Sequence, residues 1–147
     1  MKLVVQRVNK AKVVKVSTGE VAGEIEKGLF LLLGIKKEDS GKQVDELADK
    51  IVKLRIISDS NDKMNLSVQD TNLEILLVSQ FTLYANTKDG NRPSFIDAEA
   101  PEKAKALYEY FIKKLKEKSI KLQTGSFGDY MKIETELDGP VTIVIEN

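Results

Sequence analysis

The chain of 147 residues predicts an α+β fold, a single domain over residues 1–147 in which a mostly antiparallel sheet carries two amphipathic helices. Three observations predict it. Apolar residues at Val44, Leu47, Ala48, Ile51 and Val52, and again at Ala104, Leu107, Tyr108, Phe111, Ile112 and Leu115, recur at helical spacing. Around them stand short runs rich in Val, Ile and Leu, closed by turns of Gly, Asn and Asp, as strands are. No linker, repeat or low-complexity stretch divides the chain, and its length suits one core.

Taken in order, Leu3 to Val16 is Val-rich with interleaved charges and predicts a long strand or a bent pair of strands. Arg7 stands between core-type neighbours. On strand alternation it faces either solvent or the interior, and an inward guanidinium needs an acceptor for its fork of donors. The turn Ser17-Thr18-Gly19 leads into a short strand, Glu20 to Ile25. After a second turn, the apolar run Leu29 to Ile35, bounded by glycines, predicts a central strand covered on both faces. Asp39 or Ser40 caps the first helix. Arg55 to Ser58 and Lys63 to Val68 are short strands about the turn Asp59 to Asp62, and Leu73 to Tyr84 is the next strand. Pro101 suits the first position of the second helix, and the lysines Lys113, Lys114, Lys116 and Lys118 near its end form either a solvated face or a surface for nucleic acid. Strands at Ile120 to Gln123, Tyr130 to Leu137 and Val141 to Glu146 complete the chain, with Asp138-Gly139-Pro140 as a turn between the last two.

Composition removes whole classes of chemistry. Lysine and arginine total 23, as do aspartate and glutamate, so the net charge is zero and no global basic field draws in a polyanion. With no cysteine and no histidine, Ser-His-Asp and Cys-His catalysis and the usual zinc sites are excluded. Hydrolysis by this chain must rest on carboxylates, lysine, tyrosine, hydroxyls, backbone N–H groups or the substrate itself. The first residues carry only brief apolar runs broken by Gln6, Arg7 and Lys10, which predicts neither a signal peptide nor a membrane span and points to the cytoplasm.

The stretch that bears chemistry is Val78 to Ala85, VSQFTLYA, with GNRPSF at Gly90 to Phe95 close behind. Ser79, Gln80 and Thr82 interrupt a run that could have stayed apolar. One reading is a half-buried strand showing polar groups to water; the other is the wall of a small-molecule pocket.

SQFTLY at Ser79 to Tyr84 and GNRPSF join TGSFGDYM at Thr124 to Met131, GPVT at Gly139 to Thr142, VVQRV at Val4 to Val8 and KMNLSV at Lys63 to Val68. This ordered set, running over essentially the whole chain, resembles the D-aminoacyl-tRNA deacylase family, formerly D-tyrosyl-tRNA deacylase. The resemblance implies a barrel-like sheet and hydrolysis of the ester that joins a D-amino acid, or glycine mischarged on tRNA-Ala, to the terminal ribose of tRNA. It implies a homodimer with two sites at the interface, aminoacylated tRNA as partner, and no cofactor.

Carried onto these residues, the resemblance makes Gly139-Pro140 a chirality filter with a cis peptide bond that enters the partner subunit's site. Arg7 braces that filter, Met131 and Phe127 line the pocket, and Ser79, Gln80, Phe81 and Thr82 form the site strand. It also implies that the Phe81 N–H and neighbouring amides orient the ester while the free ribose hydroxyl assists. Thr82 is the obvious side-chain nucleophile, yet a threonine hydroxyl needs an adjacent base and this stretch supplies none. The chain departs from the family at Leu137, where Asn often precedes Asp-Gly-Pro. A non-catalytic nucleic-acid-binding dimer and a purely structural interaction domain are the competing classes.

Overall fold

A computed structural model describes all residues, 1–147. Its elements run β1 (Lys2–Lys15), β2 (Val21–Ile25), β3 (Gly28–Gly34), α1 (Gly41–Val52), β4 (Ile57–Ser58), β5 (Met64–Leu66), β6 (Glu74–Ser79), a 3-10 turn (Phe81–Tyr84), α2 (Pro101–Glu117), β7 (Lys121–Thr124) and β8 (Met131–Glu146). The main sheet has the order β2-β1-β3-β6-β7, with β8 paired to β1, and β4-β5 is a separate ribbon. Strand β1 pairs antiparallel with β2, β3 and β8, whereas β3-β6 and β6-β7 are parallel. The parallel pairs follow from the connections, since each is bridged by a segment holding a helix.

The sheet curls until its ends meet. A Cβ added to Gly23 on β2 would lie 2.6 Å from the Thr124 carbonyl oxygen on β7, so only glycine permits that approach. The curl encloses a small core of Val8, Ala11, Val13, Ile25, Phe30, Leu76 and Val78. On the opposite face, alternate residues Leu29, Leu31, Leu33, Ile75 and Leu77 join Val44, Leu47 and Ile51 of α1 and Tyr108, Phe111 and Leu115 of α2 in the main core. Residues 29–33 are thus covered on both faces, as their unbroken apolar run requires.

Local chemistry accounts for the helix starts. The Ser40 hydroxyl accepts the Lys42 N–H, and Gln43 Oε1 accepts the Ser40 N–H at 3.0 Å, a reciprocal cap. Pro101 sits at the start of α2, where its missing N–H costs nothing. The buried α-ammonium of Met1 lies 2.9 Å from the equally buried Asp39 Oδ1 and donates to the Asn147 carbonyl, tying the start of β1 and the end of β8 to the turn before α1. No helix is long and apolar enough to cross a membrane.

Two predicted elements are corrected. The strand expected over Leu73 to Tyr84 stops at Ser79. The Gln80 N–H still reaches the Leu33 carbonyl at 2.8 Å, but β3 then ends at Gly34 and offers no further ladder. The chain winds into the 3-10 turn, bringing Leu83 and Tyr84 against Gly34 so closely that a Cβ there would meet them at 3.0 and 3.2 Å. Likewise the last two strands are one. Both halves of β8 pair with β1, and between Gln6↔Thr142 and Val8↔Leu137 the chain loops out residues 138–141. Gly139-Pro140 therefore lies in a bulge of a continuing strand rather than in a turn.

Candidate active site

The end of β6 is a confluence of three segments. Leu77 pairs with Thr124, the Gly125 N–H donates to the Leu77 carbonyl at 2.9 Å, and the Tyr108 hydroxyl of α2 donates to the same oxygen at 2.9 Å. Burial pushes the Tyr108 phenol above its ordinary range, so it stays a donor at any physiological pH. A Cβ on Gly125 would lie 3.1 Å from both the Met131 sulfur and Val78 Cγ2. The bare glycine thus lets the Met131 thioether rest beside β6, where it also accepts the Ser126 N–H at 3.2 Å.

Past this junction, Ser79 is half-buried and Gln80 turns the chain. Gln80 Nε2 donates to Thr82 Oγ1 at 2.5 Å, so the threonine hydroxyl is held by a carboxamide, which is no base. The amides of Phe81 and Thr82 precede the first hydrogen bond of the turn, Leu83 N–H to Gln80 O, and so have no partner within it. The Phe81 ring is 55% exposed and meets Phe95 edge to face at 5.1 Å, which brings the GNRPSF stretch to the same place. That loop is closed by paired backbone bonds between Asn86 and Ser94 at 2.8 and 2.9 Å. Phe127 packs on the helix side instead, its ring 5.6 Å from Tyr108.

The bulge of β8 is built differently. Gly139 has φ +131°, and a Cβ there would lie 2.8 Å from the Val141 nitrogen; the bond to Pro140 is cis. Arg7 turns inward beside it, its side chain 13% exposed. Its Nη1 donates to the Ile56 carbonyl at 2.9 Å and more weakly to Ser58 Oγ at 3.4 Å. Its Nε lies 2.9 Å from Asp138 Oδ2, close enough for a charge contact, yet the N–H is not aimed well enough to hydrogen-bond.

These two regions do not meet within one chain. The register Leu3↔Leu33↔Ser79 puts Ser79 level with Leu3, four residues from Arg7 and three strand spacings from β8. Along the sheet that is roughly 13 Å by roughly 14 Å, about 20 Å in all. The isolated chain has open surface concavities elsewhere. One, of about 270 Å³, is lined by Lys10, Lys12, Glu24, Glu134 and Glu136; another, of about 320 Å³, lies between Val68, Leu73 and Lys121. The structure thus gathers Ser79, Gln80, Phe81, Thr82 and Met131, places Arg7 with Gly139 and Pro140, and leaves Phe127 to one side.

Sequence reasoning gave Gly125, Phe95 and Asp138 no role of their own, though each lies in a stretch it quoted. For Asp138 there was a further signal, because an inward arginine calls for a nearby carboxylate.

Fold and site define a class: a one-domain α+β protein whose available chemistry is hydroxyls, one carboxamide and unpaired backbone amides at the end of a buried strand. The comparisons place it within that class. A family model described as D-Tyr-tRNA(Tyr) deacylase matches residues 4–146. A D-aminoacyl-tRNA deacylase of Finegoldia magna is 54% identical over all of this chain and 98% of its own, and one of Thermosipho melanesiensis is 51% identical over 100% and 97%. Among solved structures, a c-Myc DNA Unwinding Element Binding Protein superposes with TM-score 0.92 at 40% identity, covering 100% of this chain and 99% of that one. A probable eukaryotic D-amino acid tRNA deacylase, at 14% identity and TM-score 0.84 over 98% and 97%, shares the fold. The chain belongs to the D-aminoacyl-tRNA deacylase family, and so is an enzyme of the hydrolase class.

Proposed function

We propose that this protein removes D-amino acids from tRNA in the cytoplasm, as a homodimer that proofreads chirality and also clears glycine mischarged on tRNA-Ala. Water adds to the ester carbonyl, the bond to the ribose oxygen breaks, and the products are the free amino acid and tRNA with its hydroxyl restored. The observation that carries this reading is the separation of the two regions. The unpaired Phe81 and Thr82 amides and the Gly139-Pro140 bulge lie on distant parts of one sheet, which supports a reading in which a second subunit brings its bulge to the first subunit's amides.

In that arrangement the amides orient the carbonyl and stabilise its developing negative charge. The glycine-proline carbonyls meet the substrate amine, and their backbone leaves no room for an L side chain. Ser79, Gln80 and Met131 line the wall, and Phe127 supports it through Tyr108. Thr82 positions rather than attacks, since its hydroxyl is bound to a carboxamide. The free ribose hydroxyl of the substrate assists in its place.

The test is parallel hydrolysis of D-Tyr-tRNA and L-Tyr-tRNA; equal rates overturn the proofreading role. Thr82→Ala is expected to keep its rate within about tenfold, against the loss of 10⁴ or more that follows removal of a true nucleophile. A substrate lacking the free ribose hydroxyl is expected not to react.

A second reading, a nucleic-acid-binding dimer without catalysis, is favoured by the likeness to a protein named for binding a DNA unwinding element, at 40% identity. Against it, the basic end of α2 is largely spent on intramolecular pairs: Lys114 with Asp45 and Glu117, Lys118 with Asp49, Lys113 with Glu117. Binding with a steep salt dependence and no ester cleavage would favour this second reading.

A further inference from the structure

The Gly139-Pro140 bulge sits on a strand that has only β1 as a neighbour and whose residues 132–137 are all exposed. Of the bulge itself only Val141 packs on the main core, so the orientation of Gly139-Pro140 rests largely on polar contacts. Cross-strand polar pairs flank it, Gln6 Nε2 to Thr142 Oγ1 at 3.4 Å on one side and Asn9 Nδ2 to Glu136 Oε1 at 3.2 Å on the other. At the level of the bulge itself the contact is Arg7.

The guanidinium is planar, so anchoring one nitrogen and drawing a second toward a charge sets the direction of the third. Nη1 donates to the Ile56 carbonyl and more weakly to the Ser58 hydroxyl, and Nε faces the Asp138 carboxylate at 2.9 Å in a charge contact without a hydrogen bond. Nη2 makes no hydrogen bond in the chain and lies 3.6 Å from where a Gly139 Cβ would stand. Ile56 precedes β4 and Ser58 is its last residue, and β4 pairs antiparallel with β5. That ribbon is braced by Arg55 Nε to the Asn65 carbonyl at 2.6 Å and by Asn65 Nδ2 to Asp59 Oδ2 at 2.6 Å.

From this geometry we infer that Asp138 is a positioning residue for stereospecificity: with the β4 end it clamps Arg7, and Arg7 in turn sets the pose of Gly139-Pro140. This rests on the functional reading above. Asp138 is itself the first residue of the bulge, its side chain 44% exposed, so its charge acts through Arg7 rather than through the core.

The test compares Asp138→Asn with Asp138→Glu in the full dimeric protein, measuring rates on D-Tyr-tRNA and L-Tyr-tRNA together with the thermal midpoint. Removing the charge is expected to lower the D-to-L rate ratio about tenfold, equivalent to ~1.4 kcal/mol, with the midpoint little changed. Retaining the carboxylate in the Glu variant is expected to rescue much of the ratio. An unchanged ratio in Asp138→Asn overturns the inference, as does a fall in both variants that tracks a lowered midpoint, since that marks a merely structural residue. Ser58→Ala, which removes the weaker Nη1 acceptor, is expected to shift the ratio in the same direction by less. Should the unmodified protein itself fail to separate D from L, the proofreading role falls rather than this assignment alone.

Discussion

The end of β6 and the bulge of β8 are both irregular backbone beside a strand, and they are held in opposite ways. At β6 the chain leaves the ladder inside the molecule. Leu77 is fully buried, and its carbonyl collects two donors from two other elements. At β8 the irregularity faces outward on a strand with a single neighbour, and charged and polar side chains hold it. The difference teaches that, in the proposed shared site, one half is stabilised by burial and the other by tethers. Damage to the first should appear as lost stability, and damage to the second as lost selectivity.

The sharpest way to break that contrast is Leu77→Ala. Truncating a fully buried leucine between the sheet and the helices is expected to cost about 2–5 kcal/mol in urea unfolding. A cost below that of any bulge variant would reverse the contrast. Gly139→Ala comes next. Its φ of +131° and the 2.8 Å approach to Val141 force a local rearrangement of about 1–3 kcal/mol. Its larger effect should be on the D-to-L ratio, read in the same assay, while the β6 end stays folded.

Tyr108→Phe is expected to cost about 1 kcal/mol, because the Leu77 carbonyl keeps its second donor, Gly125, and is not orphaned. A loss well beyond that in urea unfolding would mean that the hydroxyl also holds Phe127 and the 124–131 loop. The smallest effect concerns pH. Asp59 is held below the usual carboxylate range by the Asn65 side chain, then by the Lys63 and Asn61 amides, and Asp70 by the Ser67 hydroxyl and amide. Because these folded-state values are depressed, their contribution is present above the ordinary carboxylate pKa, near ~4, and is lost as pH falls through the lowered values. The urea midpoint is therefore expected to decline on acidification below about pH 4, and Asp59→Asn to flatten that decline. Asp59 braces the ribbon that grips Arg7, so a D-to-L ratio that weakens with the same mild acidification would sharpen the tie between ribbon and bulge.

Much of the fold was legible in the sequence because its signals are local. Both helices lie where apolar spacing and the Ser40 and Pro101 starts put them, and the buried central strand lies where an unbroken apolar run said it would. The strand expected through Tyr84 failed for a reason no local pattern contains. FTLY has strand-like composition, yet its neighbour β3 ends first, and Tyr84 is drawn down onto Gly34. The Asp138-Gly139-Pro140 stretch carries every mark of a turn. Whether the chain reverses there or loops out and continues depends on whether both flanks pair with the same strand, which is a long-range fact.

The sequence by itself determined the helices, the strand cores, the absence of imidazole and thiol chemistry, and the residue types at the site, because periodicity, capping and composition are written in neighbouring residues. Only the tertiary structure decided that Arg7 turns inward to Asp138 and the Ile56 carbonyl. It also decided that the β6 end and the Gly139-Pro140 bulge lie on different parts of one sheet. Register and the ending of a ladder depend on partners far away in the chain, and a polar side chain's direction depends on which acceptors the fold brings within reach.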